Sequence, residues 1–369
     1  MDLQHSSLTV KVDLQNSSRL GLHRAVLHGK VNFPLCLAPM VGLTHVALRE
    51  VTRAYLPANA YTLWPTEMLN SRRIPNENLE TTPETMRAQH EPGLVPQILG
   101  NEEDAIAQSV KRLEEWGAEG IDINMGCPVQ KALKHNYGVA LMGDPAYAAE
   151  VVRMTTANTS LPVSVKLRAV GSTKEFDELL NFVEGLTNSG ASWICLHPRT
   201  AAQKRRGWAD WEQITQLHKA VKIPVIGNGD VQTVEDAITM LQDTGCDMAM
   251  AGRGLAARPW MMWQLGEELG FAPPPGREGE KAPRTPLEEG AEYGRCLLQL
   301  IDYAHNYFGH DLAMRKVRFH VRTTGVWLPF GNALVSVCAK AKNIEEMKIG
   351  VAKFFEAPIE MSLRTELRQ

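Results

Sequence analysis

The chain has 369 residues, 44% of them hydrophobic and 22% charged. That composition excludes wholesale disorder, and the length suits two domains or one α/β barrel with an appendage. The net charge of −3 excludes a protein that is basic all over, but leaves room for a local basic face.

The first 30 residues are polar, with serine pairs at Ser6-Ser7 and Ser17-Ser18, and read as an N-terminal extension. They include Asp2 and no apolar stretch of signal-peptide type, so a cytoplasmic protein is expected. Apolar runs are short, such as Leu35-Cys36-Leu37-Ala38, so no membrane span is expected. Cysteines stand at 36, 127, 195, 246, 296 and 338, none in a C-x-x-C pair. They read as reduced thiols with no metal site; all but Cys127 sit in core-like surroundings.

From residue 33 strand-length apolar runs alternate with helical stretches. The runs are 35–39, 60–64, 94–98, 121–124, 163–167, 193–196, 224–227 and 247–251. Their near-continuous apolar character suits strands buried on both faces. Residues 102–116 place Ala105, Ile106, Ser109, Leu113 and Trp116 on one helical stripe. Asp144 reads as an N-cap, with Pro145 at the first helical position, and residues 148–154 continue that helix. Residues 233–241 and 259–269 are also helical in pattern. Eight βα units predict an α/β fold, a (β/α)8 TIM barrel, rather than an open doubly wound sheet. The open sheet would carry an early glycine-rich dinucleotide turn, and Pro39-Met40-Val41-Gly42 is not one. Residues 272–286, rich in proline, read as a linker. Helices are then expected at 287–305, 311–323 and 343–355, making a small all-helical C-terminal domain. The expected division is an extension at 1–32, a barrel at 33–271, the linker, and a helical domain at 287–369.

Barrel chemistry sits at the C-terminal strand ends. Those ends carry Gln97, Asn124 through Pro128, Lys166 and Arg168, His197 through Arg199, Gly227 through Asp230, and Ala251 through Gly254. Glycine turns after strands seven and eight let backbone N–H groups approach an anion, here beside Arg253; either turn alone could be a plain tight connection. A lysine inside a barrel strand, Lys166, is costly unless it meets an anion or reaches the rim. The negatively charged edge of a reduced flavin would suit it, with Gln97 and His197 beside it. Cys127 lies between a glycine and a proline that stiffens its turn. It is either a small apolar loop residue or a proton donor at the barrel mouth, with Lys131 and Lys134 downstream.

These residues together resemble the tRNA-dihydrouridine synthases, FMN-dependent barrels with a helical C-terminal domain. The resemblance runs from about residue 33 to 355. It is carried by Ala38-Pro39-Met40, Pro96-Gln97-Ile98, Asp122-Ile123-Asn124-Met125-Gly126-Cys127-Pro128, Val165-Lys166-Leu167-Arg168, Leu196-His197-Pro198-Arg199-Thr200, Asn228-Gly229-Asp230 and Gly252-Arg253-Gly254. The wording around Cys127 is nearest the bacterial B-type branch. Two features depart from the family: the long N-terminus, and Val326-Trp327-Leu328-Pro329-Phe330-Gly331 in place of a Gly-Leu-Pro-Gly pattern.

The resemblance implies FMN as cofactor and NADPH, or NADH, as reductant. It implies FMN contacts at Pro39, Met40 and Val41, a ring site at Gln97, Lys166 and His197, and a phosphate site at Asn228, Gly229, Asp230, Gly252 and Arg253. Cys127 would be the catalytic acid. The partner would be tRNA, met by Asn124, Lys131, Arg199, the basic loop Lys204, Arg205 and Arg206, and a helical face with Arg315, Lys316, Arg318 and Arg322. The protein would work as a monomer, without membrane or metal. Two rival readings are a flavin barrel reducing a free pyrimidine, and a tRNA-binding protein that keeps the barrel only as a scaffold.

Overall fold

The computed structural model describes residues 20–128, 134–169, 176–204 and 206–366. Eight parallel strands form one sheet: β1 Leu35–Leu37, β2 Trp64–Asn70, β3 Leu94–Leu99, β4 Ile121–Met125, β5 Val163–Arg168, β6 Trp193–His197, β7 Val225–Asn228 and β8 Met248–Ala251. The strands pair in chain order from β2 to β8, and β8 pairs with β1. The barrel is therefore nearly closed, with one seam between β1 and β2. Hydrogen bonds bridge that seam around the start of β1. Asn32 N and Phe33 N both donate to Tyr61 O at 3.1 Å, and Thr62 Oγ1 donates to Leu35 O at 2.6 Å.

The seam explains one correction. Residues 60–64, expected as the second strand, run beside β1, but the ladder itself starts at Trp64 and continues through Asn70. Pro65 and polar Thr66-Glu67 hide that strand in the sequence. A register shift between Pro65 and Met68 absorbs the proline.

Helices cover the outside: α1 Val46–Arg53, α2 Glu103–Trp116, α3 Pro145–Thr156, α4 Phe176–Asn188, α5 Trp211–Ala220, α6 Val234–Thr244, α7 Arg253–Ala257 and α8 Met261–Glu268. Asp144 caps α3 by accepting from Tyr147 N, with Pro145 as its first residue. On α2 the buried stripe is Ile106, Ser109, Val110, Leu113 and Trp116. Val110 joins the expected residues, and Ala105 is only half-buried.

Alternation along the strands divides the barrel interior into two levels. Val163, Val165 and Leu167 face the helices, while Ser164, Lys166 and Arg168 face inward. The lower level is apolar. There Cys36, Val95, Trp193, Ile226 and Met248 pack with Val26 and Leu27, which plug the base from outside the sheet. Residues 20–32, expected within a polar extension, thus carry a barrel plug. Arg24 anchors it, donating to Ile223 O at 2.8 Å and His218 O at 2.7 Å.

The C-terminal region adds α9 Pro286–Thr324, α10 Gly331–Lys340 and α11 Ile344–Phe354. The two helices expected at 287–305 and 311–323 form one element, interrupted only at Gly309, whose φ of 66° is non-helical. Helix α10 was not expected from the sequence. Its N-cap position is Phe330, which adopts φ 59° and offers no side-chain cap. Helix α11 opens at the expected Asn343 cap.

The helical region and barrel share one hydrophobic core and several buried polar ties. Glu289 of α9 accepts from Arg258 at 3.1 Å and from Trp260 Nε1 at 2.9 Å. Gln232 accepts from Trp327 Nε1 at 3.2 Å and from Thr365 N at 3.0 Å. The segment expected as a linker also packs, with Gln264 Nε2 donating to Pro283 O at 2.6 Å. Among the described residues no helix is long and apolar enough to cross a membrane, and no cluster of side chains suits a metal ion.

Candidate active site

The upper interior is polar and extensively hydrogen-bonded. Gln97 donates to Asp122 Oδ2 at 2.7 Å and accepts from Asn124 Nδ2 at 2.7 Å. Ser164 donates to Asp122 Oδ1 at 2.6 Å. Burial pushes the Asp122 carboxyl upward, against hydrogen bonds from Ser164 and Gln97 and the charge of Lys166. Asp122 and Ser164 were not among the expected site residues. A carboxylate inside an otherwise apolar strand was the signal for the first.

Asn124 shapes the cysteine loop. Its Oδ1 accepts from Cys127 N at 3.0 Å and Gly126 N at 3.2 Å, the geometry of an Asx turn. Expected as a tRNA contact, Asn124 is buried and occupied by this turn and by Gln97. Cys127 itself is half-buried at the mouth. Its carbonyl accepts from Val139 N at 3.1 Å. Gly138, at φ 62°, lets the chain pass so closely that a Cβ there would lie 2.6 Å from Cys127 O. Lys131 lies outside the described residues.

Lys166 reaches from β5 to Asn228 Oδ1 at 3.0 Å, and Asn228 Nδ2 donates to Met250 O at 2.7 Å. The pair links the lysine to the first of the two glycine turns. Arg168 reaches back to Gly126 O at 2.8 Å and forward to Lys204 O at 2.9 Å. One guanidinium thereby holds both the cysteine loop and the loop after β6. Arg168 was counted among the polar strand ends, but no role was expected for it.

His197 lies half-buried at the end of β6. Burial pushes its pKa well below the usual imidazole range, helped by the charges of Lys166, Arg168, Arg199 and Arg253. The ring is therefore neutral near pH 7. Arg199 Nη1 lies 3.2 Å from His197 Nε2, and a guanidinium can only donate. Nε2 is thus the acceptor and Nδ1 carries the proton.

Arg199, expected on the tRNA surface, is buried. It donates to Asp230 Oδ1 at 2.5 Å and to Gly207 O at 2.7 Å. Asp230 Oδ2 also accepts from Ala209 N at 2.6 Å. Its carboxylate is spent on holding this loop.

Gly229 has φ 116°, and a Cβ there would lie 2.7 Å from that of Ala209 and 3.0 Å from His197 Cδ2. The second turn, Gly252-Arg253-Gly254, starts α7 beside it. A Cβ on Gly254 would lie 2.4 Å from Val231 O, so the two turns touch through backbone. The loop after β1 completes the rim. Met40 N donates to Thr44 Oγ1 at 3.0 Å, and Met40 Sδ would be 3.3 Å from a Cβ on Gly252. Pro39 is half-buried and Val41 exposed.

The expected helical face separates into two kinds of residue. Arg315 and Arg322 are exposed, with Phe319 exposed between them. Lys316 instead turns inward to Glu67 Oε1 at 2.7 Å, and Arg318 donates to Cys338 O at 3.0 Å and Ala341 O at 2.8 Å, the C-terminal end of α10. Lys204 and Arg206 are exposed on the loop after β6; Arg205 lies outside the described residues.

A TIM barrel with a cationic polar mouth, a cysteine on the loop after β4 and a docked helical region is the class that fold and site define. A sequence model of the family described as dihydrouridine synthase matches residues 36–329. A relative from Mycobacterium tuberculosis, named a probable tRNA-dihydrouridine synthase, is 34% identical over 85% of this chain and 80% of its own length. A Pseudomonas aeruginosa protein named tRNA-dihydrouridine synthase B is 30% identical over 87% of this chain and 92% of its own. The chain belongs to the dihydrouridine synthase family.

Proposed function

We propose that this protein is a tRNA-dihydrouridine synthase that reduces the C5=C6 bond of uridine, with FMN as cofactor and NADPH as the source of electrons. The observation that carries the reading is the meeting of Cys127, Lys166 and both glycine turns at one cationic end of the barrel. The donor set fits an anionic cofactor. Lys166, Arg168, Arg199 and Arg253 all bear on His197, and Asp230 is already paired with Arg199. A cationic or strongly apolar ligand would meet uncompensated charge there.

Bound and reduced, FMN supplies hydride chemistry. Lys166 would hold the polar edge of its ring, and the proton on His197 Nδ1 would give that edge a neutral donor. Gln97 would line the floor beneath. The backbone of Asn228 through Asp230, with Gly252 and Arg253, would take the phosphate. Pro39, Met40 and Val41 would border the ring.

Uracil C6 is the electrophilic carbon because the C4 carbonyl withdraws electron density through the double bond. As C6 is reduced, charge develops at C5. The Cys127 thiol donates a proton to C5 there, as a general acid. Asn124 and Arg168 fix where that thiol stands. The target base must leave its stack to reach the barrel mouth. The exposed charges at Lys204, Arg206, Arg315 and Arg322 would meet the RNA backbone.

The deciding experiment is nucleoside mass spectrometry of tRNA from cells with and without this protein, with free uridine as a parallel substrate. Loss of dihydrouridine from tRNA, restored by the wild-type chain, is expected. Unchanged tRNA, or reduction of free uridine alone, would overturn the assignment.

A further inference from the structure

Trp208 is 78% exposed. Six of the other seven tryptophans, at 64, 116, 193, 260, 263 and 327, are buried, and Trp211 is half-buried. Leaving an indole in water forgoes the large burial gain that an aromatic normally makes on folding.

The loop that carries it is held firmly. Arg168 binds Lys204 O and Arg199 binds Gly207 O, both from beneath. Asp230 takes Ala209 N, and Asp210 N donates to Pro198 O at 2.9 Å. Two buried arginines and an aspartate of the barrel mouth thus fix the backbone on both sides of Trp208. The side chain stands on backbone tethered to the barrel mouth. Lys204 and Arg206, both exposed, precede it on the same loop.

An exposed aromatic on an anchored backbone, beside cations, suits a ligand with flat rings and an anionic backbone. We propose that Trp208 is a stacking platform for an unpaired nucleobase of the RNA substrate, with Lys204 and Arg206 on the adjoining phosphates. The inference rests on the RNA reading above and adds a contact that charge alone does not supply. A second copy of this chain is the competing occupant. The cations at the rim argue against it, since two such loops would meet like charge to like charge.

The test compares wild type, Trp208→Ala, Trp208→Phe and a Lys204→Ala/Arg206→Ala variant. Binding to tRNA and to an oligouridylate is followed by anisotropy at several salt concentrations. Trp208→Ala should weaken binding roughly 5- to 150-fold, the range for losing one base–aromatic stack. Its salt slope should match wild type, because no phosphate contact is removed. Trp208→Phe should keep most of the affinity. The double variant should lower the slope by roughly one to two units. Oligouridylate should also quench the tryptophan emission of wild type more than that of Trp208→Phe.

Wild-type affinity in Trp208→Ala at every salt concentration would overturn the platform while leaving the RNA reading intact. Wild-type protein that ignores tRNA would overturn both. A dimer that Trp208→Ala dissociates, with tRNA affinity unchanged, would assign the indole to a contact between copies.

Discussion

Lys316→Met removes one partner of a buried ion pair that ties α9 to β2 of the barrel. The sequence counts Lys316 among the basic residues that meet tRNA. In the fold its side chain is 11% exposed and bonds Glu67, which is 3% exposed, at 2.7 Å. The other Glu67 oxygen accepts from Gly42 N at 2.5 Å. Lys316→Met would therefore leave a buried carboxylate with one backbone donor. Breaking a buried ion pair on one side typically costs about 3–5 kcal/mol, and partial exposure of the lysine favours the lower end. Glu67→Gln in the same chain keeps an acceptor for Gly42 and removes the stranded charge, so the double variant should recover part of the loss. Urea unfolding of the wild type and three variants measures that coupling. The loop around Gly42 borders the proposed ring site, so FMN affinity of the apoprotein should fall with Lys316→Met. The salt dependence of tRNA binding should not change. Stability within about 0.5 kcal/mol of wild type, or a salt slope lowered by about one unit, would refute the buried role.

Cys127→Ala should still take up FMN and accept electrons from NADPH. It should make dihydrouridine about 10²–10⁴-fold more slowly, as expected for loss of a general acid; single-turnover assays on tRNA check this. Lys166→Ala should lose most bound FMN, and Arg253→Ala should weaken FMN through its phosphate, both read by spectral titration. Unchanged affinity in both variants would break the site map. Arg315→Ala with Arg322→Ala should weaken tRNA binding and lower its log–log salt slope by up to roughly two units, with FMN content preserved; parallel salt lines for variant and wild type would remove these two residues from the RNA surface.

The barrel was legible because its signals are local. Seven of the eight strand positions follow from short apolar runs between helical stretches, and the Asp144-Pro145 and Asn343 caps mark helix starts by their own chemistry. The second strand was misplaced because Pro65 and Thr66-Glu67 interrupt its apolar pattern, and only a register shift against β3 lets the ladder continue. Helix α10 lacks a capping side chain and opens on a left-handed Phe330, so nothing local announces it. The plug at Val26 and Leu27 looked like the end of a polar tail, because its apolar partners Trp193 and Met248 lie far along the chain. Long-range pairs were the general blind spot. Nothing around Lys316 names Glu67, 249 residues away.

The same blindness governs how the basic residues divide. A guanidinium or ammonium near the barrel had three available fates: a carboxylate, backbone carbonyls, or solvent. Burial decides which applies, because a charge removed from water must be paired or hydrogen-bonded. Arg199 pairs with Asp230, and Lys316 with Glu67. Arg168 and Arg318 hold loop and helix-end carbonyls. These four build the platform and cannot also bind phosphate without unbuilding it. Lys204, Arg206, Arg315 and Arg322 are exposed, and among the described residues they form no ion pair. Of the cations expected to meet RNA, the described ones that stay exposed are two on the loop of Trp208 and two on α9 around Phe319. Few phosphate contacts mean a shallow salt dependence. Contacts that do not release counterions would then supply the remaining affinity, the part proposed above for the exposed indole of Trp208.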